Sequence, residues 1–163
     1  MRRLLAMIAS AGLLTGVVAV PAAAVSSRIA AHCEEIRITE WTGGREWIDE
    51  NLVYHVRGQQ AVYRHEGDAY CAGLNYATVS VDLDLTTGEG SVRADAQIVL
   101  DAFASGWDSR LVAHFTPAGP HIWEGKAVGQ GFGAISGWQY RADVVEVTHE
   151  LAIDRGFAFR PGQ

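Results

Sequence analysis

The sequence has few basic residues. Lysine and arginine together number 13 against 19 aspartates and glutamates, and the 163-residue chain carries a formal charge of −6 at neutral pH. An acidic protein repels the phosphate backbones of DNA and RNA, so we expect no nucleic-acid partner. Anionic membrane surfaces are disfavoured for the same reason.

The sequence also lacks the spacings that identify a metal or cofactor site. None of its six histidines forms a His-x-His pair or a His-x-x-x-His pair. Gly129-x-Gly131-x-x-Ala134 superficially matches a dinucleotide fingerprint, but that motif must open a helix, and here a strand is expected to follow. We therefore expect no metal and no cofactor. No arrangement of acids, histidines or serines identifies catalytic residues either.

Cysteine is scarce, with only Cys33 and Cys71 in the chain. Outside the cytoplasm an even pair is most simply a disulfide. Closing a loop of this length stabilises a protein by about 4 kcal/mol in the chain-entropy model. The alternative is a reactive thiol or a metal ligand, although no other cysteine lies within metal-ligand spacing. We predict a Cys33–Cys71 disulfide.

The N-terminus has the three parts of a secretory signal. A positive start, Met1-Arg2-Arg3, precedes an uncharged apolar run over residues 4–20. Pro21 ends this run, and three alanines at 22–24 provide the small residues that a signal peptidase needs. The alternative is a retained membrane anchor, since about 17 apolar residues lie at the short limit of a membrane span.

Cleavage after the alanines divides the chain into three parts. We predict that residues 1–24 are a signal peptide, that 25–33 are a short N-terminal segment and that 34–163 form the folded domain. This length suits a single domain. The signal predicts secretion to an extracytoplasmic location, with no stable membrane insertion of the mature protein. The sequence makes no prediction of oligomeric state.

Helical periodicity is absent from the mature chain, which instead alternates polar and apolar residues. The clearest strand is 77–85, where four apolar side chains, from Val79 to Leu85, alternate with polar ones. A glycine-containing turn follows, and residues 91–100 resume the alternation. These two segments predict a β-hairpin with one face in the core.

Further strands follow at intervals of roughly ten to fifteen residues, which is typical of antiparallel architectures. Segments 52–57 and 61–66 flank Gly58 and predict a second hairpin, and 42–51 is the best position for a short helical turn. About eight strands must bury one face of the sheet they form. We therefore predict an all-β fold, a single antiparallel barrel of about eight strands, with a β-sandwich as the alternative.

The glycine-rich stretch carries a family resemblance. Gly129-x-Gly131-Phe132-x-x-x-x-Gly137, lying after one expected strand and before another, resembles the glycine motif of the allene oxide cyclase and dirigent-like barrels. Trp123-Glu124-Gly125 fits the same pattern. The resemblance implies an eight-stranded antiparallel barrel with an interior cavity. It implies no catalytic residues here, because none of a cyclase's catalytic positions can be matched.

A barrel rich in aromatic residues favours a lumen that either is filled or holds a ligand. The candidate ligand-binding residues are Tyr54, Tyr63, His114, Phe115, Trp123, Glu124 and Tyr140. Three functions follow from this. The favoured one is a non-enzymatic protein that binds a small apolar molecule in the lumen. The alternatives are a structural or interaction protein with a filled barrel, and an isomerase or cyclase for a hydrophobic substrate.

Overall fold

The computed structural model describes residues 28–119 and 122–162. The predicted signal peptide and its cleavage point lie outside the described residues, as do residues 25–27 of the predicted 25–33 segment, whereas residues 28–33 form the start of the first strand. The described part of the chain contains nine strands and no helix. Consequently it has no helix that is long and apolar enough to cross a membrane.

The strands follow one another with short connections. They are β1 (Arg28–Arg37), β2 (Arg45–Ile48), β3 (Val53–Gly67), β4 (Gly73–Asp84), β5 (Gly90–Leu100), β6 (Ser105–Phe115), β7 (Trp123–Gly133), β8 (Gln139–Thr148) and β9 (Leu151–Phe159). The predicted hairpin of 77–85 and 91–100 is confirmed as β4 and β5, with Val81 opposite Val92.

The sheet closes on itself. Neighbouring strands pair in the order β1-β9-β8-β7-β6-β5-β4-β3, and β1 also pairs with β3. Every pairing is antiparallel. The predicted eight-stranded barrel is confirmed over the sandwich. The ninth strand, β2, is a short addition that pairs with the half of β3 that β1 leaves free.

The predicted second hairpin at Gly58 is wrong, because 53–67 is a single long strand with a bulge. Val56 pairs with Val81 and Gln59 with Val79, so β3 contains one more residue here than β4 does. Gly58 adopts a left-handed conformation (φ +70°), which glycine accepts without strain. The bulge reverses which residues face inward: Val56 is buried before it, and Gln59, Ala61 and His65 after it.

The predicted helical turn at 42–51 is also wrong. Residues 45–48 form the edge strand β2, and their side chains are exposed. Trp47 of this strand stacks on His55 of β3, with ring centroids 4.8 Å apart. Pairing with β3 therefore decides the local conformation, and no core contact stabilises a helix there.

Side chains alternate between the lumen and the outer face along each strand. The predicted inward positions Val79 and Val81 are buried, whereas Leu85 lies beyond the end of β4 and is exposed. On β7 the inward side includes three glycines, at positions 125, 129 and 131. A side chain at Gly129 would meet the Cβ of Trp107 at 3.3 Å, so glycine leaves room for that indole inside the barrel.

One end of the barrel is plugged. Trp107 and Tyr140 are fully buried and stack with ring centroids 5.7 Å apart. Beyond them Tyr70 packs between Phe103 and Trp138 at 5.0 and 5.4 Å. The predicted disulfide is present at the same end, where the Cα atoms of Cys33 and Cys71 are 6.0 Å apart. The lumen is thus closed on this side, and any opening must lie at the other.

Candidate functional site

The lumen contains a cavity of about 410 Å³. It lies between the plugged end and the opposite end of the barrel, where the β6–β7 and β8–β9 connections are. Ile122 of the first connection, and His149 and Glu150 of the second, line it. His149 and Glu150 are exposed to solvent, so the cavity opens at this end.

Half of the cavity wall is aliphatic. It is built by the consecutive strands β4, β5, β6 and β7, whose inward residues are mostly small, apart from Asn75, Phe115 and Trp123. The main contributors are Ala77, Val79, Val81, Val92, Ala94 and Leu111. Small side chains on a closed barrel leave the volume unfilled, because the strands cannot approach each other to close it. This half can hold a hydrocarbon body and offers it no charged group.

The other half of the wall is polar and charged. It is built by β3, β1, β9 and β8, which are also consecutive in the barrel. All the charged side chains that line the cavity belong to these strands or to the β8–β9 turn. They are Glu35, Arg37, His65, Glu146, His149, Glu150 and Asp154. The cavity is therefore amphipathic, with the division running along the barrel axis.

At the closed end of the cavity, the polar wall holds an imidazole between two carboxylates. His65 Nε2 lies 3.4 Å from Glu35 Oε1, and His65 Nδ1 lies 4.0 Å from Asp154 Oδ2. Asn75 Nδ2 donates to Glu35 Oε1 at 3.0 Å. We call Glu35, His65, Asn75, Tyr140 and Asp154 the floor cluster. The bulge in β3 makes it possible, since it turns His65 inward.

The ionisation of the floor cluster is set by burial and by the facing charges. Burial lowers the pKa of His65, but the Glu35 and Asp154 carboxyl groups and the backbone at Cys71 together outweigh it, so the pKa of His65 is raised. Burial, reinforced by Glu35, raises the pKa of Asp154. Burial also raises the pKa of Tyr140, whose hydroxyl donates to Asp154 Oδ2 at 3.1 Å. Of these groups Asp154, whose pKa is raised to about 7, can therefore exchange a proton near neutral pH, whereas Tyr140 keeps its proton.

A second carboxyl group faces the cavity nearer its mouth. Burial raises the pKa of Glu146 from 4.5 to about 7, while the Arg37 guanidinium lowers it and Glu35 raises it further. Burial likewise raises the pKa of Tyr63, on the same half of the wall, to about 12. Glu146 therefore changes charge in the neutral range.

This predicts a pH-dependent stability. Because its folded-state pKa lies above the value of 4.5 in the unfolded chain, protonated Glu146 favours folding; this contribution is complete below pH 4.5 and is lost as pH rises through about 7. Glu146→Gln should therefore raise the free energy of unfolding by about 1 kcal/mol near pH 8.5 and by little near pH 4, its partial exposure keeping the effect small. Urea unfolding at both pH values measures this. Glu124→Gln, on the outer face, controls for the loss of one negative charge, and an equal effect of both variants would contradict the prediction.

Five of the seven residues predicted to bind a ligand line the cavity. These are Tyr54, Tyr63, Phe115, Trp123 and Tyr140. The other two, His114 and Glu124, lie on the outer face of β6 and β7, where His114 Nε2 is 3.4 Å from Glu124 Oε1 and both side chains are at least half exposed. They follow Ala113 and Trp123 by one position, and alternation along a strand directs them away from the lumen.

The polar wall was missed by the sequence analysis. Glu35 and Asp154 lie 119 positions apart on β1 and β9, which pair only in the closed barrel. His65 lies in segment 61–66, which the sequence pattern assigns to a hairpin that the structure does not contain. A usable signal was present in β9, where Ala152, Asp154, Gly156 and Ala158 alternate with larger residues, so that Asp154 falls on the inward face.

The floor cluster also defines the metal-binding potential of the lumen. Ligand atoms of Glu35, His65 and Asp154 all lie within 4.8 Å of one another. However, the two carboxylates face different nitrogens of the imidazole, and only one of these nitrogens can turn to an ion held by both acids. An imidazole paired with a carboxylate on each side explains this geometry better than a metal ligand does. Cys33 and Cys71 also lie near His65, but their sulfurs are joined to each other.

Comparison of the chain with protein-family models, with curated proteins and with solved structures found no match. Functional assignment therefore depends on the cavity itself.

Proposed function

We propose that this is an exported protein that binds a small, largely apolar molecule in the lumen of its barrel. The observation that carries the proposal is the cavity of about 410 Å³, closed at one end and open at the other. Its volume falls within the roughly 300–1,000 Å³ typical of small-molecule sites. Aliphatic side chains on one half of the wall and a few polar groups on the other also match such sites.

Export is supported by two features of the chain. The N-terminal sequence has the pattern of a secretory signal. The Cys33–Cys71 disulfide is compatible with an oxidising compartment outside the cytoplasm. A cavity protein in that location meets molecules from the surroundings before they reach the cell.

A second candidate function is an isomerase or cyclase for a hydrophobic substrate, in keeping with the resemblance to the allene oxide cyclase-like barrels. The floor cluster favours it, because Asp154 is a buried group that can exchange a proton with a substrate in the cavity. Confinement of one conformer can supply much of the rate enhancement in such reactions. A protein with a filled lumen, the remaining alternative, receives no support from an open cavity.

Native mass spectrometry of the protein purified from its own host tests the proposal. We expect a co-purifying small molecule that is released on denaturation. Conversion of that molecule into a second mass on incubation would favour the enzyme instead. A protein that is recovered empty and binds none of a panel of apolar molecules would contradict both functions.

Filling the cavity provides a direct test with a matched control. Ala96 lies on the aliphatic wall, and Ala96→Phe should reduce the affinity for 1-decanol at least about tenfold because the ring occupies the space of the ligand. Binding can be followed by the fluorescence of Trp41 and Trp123, which line the cavity. Thr78→Phe adds the same ring on the outer face of β4 and should leave binding unchanged. Equal effects of the two substitutions would place the binding site elsewhere.

A further inference from the structure

The acidic groups that line the lumen outnumber the basic ones, arginine and histidine taken together. The cavity is lined by four carboxylates, one arginine and two histidines. Two of the carboxylates, Glu35 and Asp154, lie in the floor cluster, where His65 is the charged partner of both. Arg37 lies towards the mouth, where its guanidinium is 6.0 Å from the ring of Trp41. The closed end of the cavity thus has an excess of acidic groups.

One carboxylate oxygen of these acids lacks a hydrogen-bond donor. Asp154 is 3% exposed and lines the cavity. Its Oδ2 accepts the hydrogen bond from Tyr140, but no donor among the described residues reaches Oδ1. A buried acceptor without a donor is costly, and the cost disappears when a donor is supplied. This oxygen belongs to one of the two acids that make up the excess at the closed end, and it adds a requirement for a hydrogen-bond donor to the requirement for positive charge.

From these two observations, and on the basis of the proposed function, we infer that the ligand carries a protonated amine on its apolar body. The ammonium group lies at the floor beside Asp154 and donates to the unpaired Asp154 Oδ1. The hydrocarbon body lies against the aliphatic wall of β4 to β7. An ammonium group both donates and carries the charge that the floor lacks, which makes its hydrogen bonds stronger than those of a neutral donor.

Other head groups fit the floor less well. A carboxylate would be placed against two carboxyl groups, and like charges at this distance repel. A hydroxyl can donate to Asp154 Oδ1 but brings no positive charge. The expected order of affinity is therefore amine first, alcohol second and carboxylate last.

Three probes with the same ten-carbon body test this inference: decylamine, 1-decanol and decanoate. Calorimetric titration of the oxidised mature protein at neutral pH should show decylamine binding about tenfold more tightly than 1-decanol, the difference expected for a charge-assisted hydrogen bond. Decanoate should bind most weakly.

Substitutions in the floor cluster test whether the preference for decylamine arises from Glu35 and Asp154. Asp154→Asn and Glu35→Gln keep the shape of the side chain and remove its charge, so each should weaken decylamine binding about tenfold and 1-decanol binding less than about twofold. Asp95→Asn removes an exposed carboxylate on the outer face and should change neither. Thermal unfolding of each variant identifies any that does not fold, in which case the other floor variant decides.

The outcomes separate this inference from the proposed function. Binding of 1-decanol or decanoate as tight as that of decylamine overturns the amine assignment and leaves the apolar binding function standing. An amine preference that survives both floor substitutions overturns it as well. If none of the three probes binds, the proposed function fails and the inference fails with it.

Discussion

Replacing Trp107 with alanine is expected to lower the free energy of unfolding by about 3–5 kcal/mol, as for other buried aromatic residues. Trp107 is 0% exposed, stacks on Tyr140, and donates from Nε1 to the carbonyl oxygen of Tyr70 at 2.9 Å. Alanine would leave a hole beneath the floor cluster and would leave the Tyr70 carbonyl without this donor. Urea unfolding followed by far-ultraviolet circular dichroism measures the loss.

Trp47→Ala provides the matched control. Trp47 lies on the edge strand β2 and is 39% exposed; it stacks on His55 and has the guanidiniums of Arg45 and Arg57 over its ring, so its loss should cost about 1 kcal/mol or less. Trp107→Phe retains a ring without the indole N–H. Its loss of unfolding free energy should lie between those of Trp107→Ala and Trp47→Ala. If Trp107→Ala cost no more than Trp47→Ala, the plug would not be the packed core that its contacts indicate.

Removing the Cys33–Cys71 bridge is expected to cost about 4 kcal/mol, because it closes a loop with a sequence separation of 38 and thereby restricts the unfolded chain. For a domain of this size that corresponds to a fall in melting temperature of roughly 10–15 °C. The Cys33→Ala/Cys71→Ala protein and the reduced wild type should agree, which separates the bridge from the packing of its sulfurs. Calorimetry of the three proteins gives the comparison.

The loss of stability on removing the bridge should also be visible in the amide exchange of individual segments. The bridge ties β1 to the turn after β3, and without it we expect faster amide exchange over residues 31–38 than over the central strands β5 and β6. Two free thiols in the denatured, unreduced protein would show that the bridge is not formed. A melting temperature unchanged by reduction would show that it does not stabilise the fold.

Much of the fold was predictable because polar and apolar residues alternate wherever a strand has one solvent-exposed face and one buried face. Strands β4 and β5 fall in this class, with Val79, Val81 and Val92 facing inward. The long strand β3 was not predictable in the same way. A glycine between two alternating runs is compatible with a hairpin turn and with a bulge alike, and only pairing of both runs with β4 distinguishes them.

The site was predictable in its apolar part. Aromatic residues on expected strands, such as Tyr54 and Trp123, line the cavity because alternation assigns their direction. The polar wall was not predictable, since Glu35, His65 and Asp154 come from three strands that are brought together by the long-range pairings of β1 with β3 and with β9. His114 and Glu124 were chosen for their chemistry, without regard to the alternation that places them outside.

The charged half of the lumen comes from the beginning and end of the folded chain, whereas the aliphatic half comes from its middle. Strands β4 to β7 pair in sequence and can form from short-range contacts, but β1 must wait for β9 before the barrel closes. Long-range pairings of this kind form slowly. A chain interrupted before β9 would lack Asp154 and would leave β1 without one of its two neighbours, so the aliphatic wall would form before the acidic wall opposite it is complete. Under the proposed function, discrimination between head groups would therefore depend on the last strand.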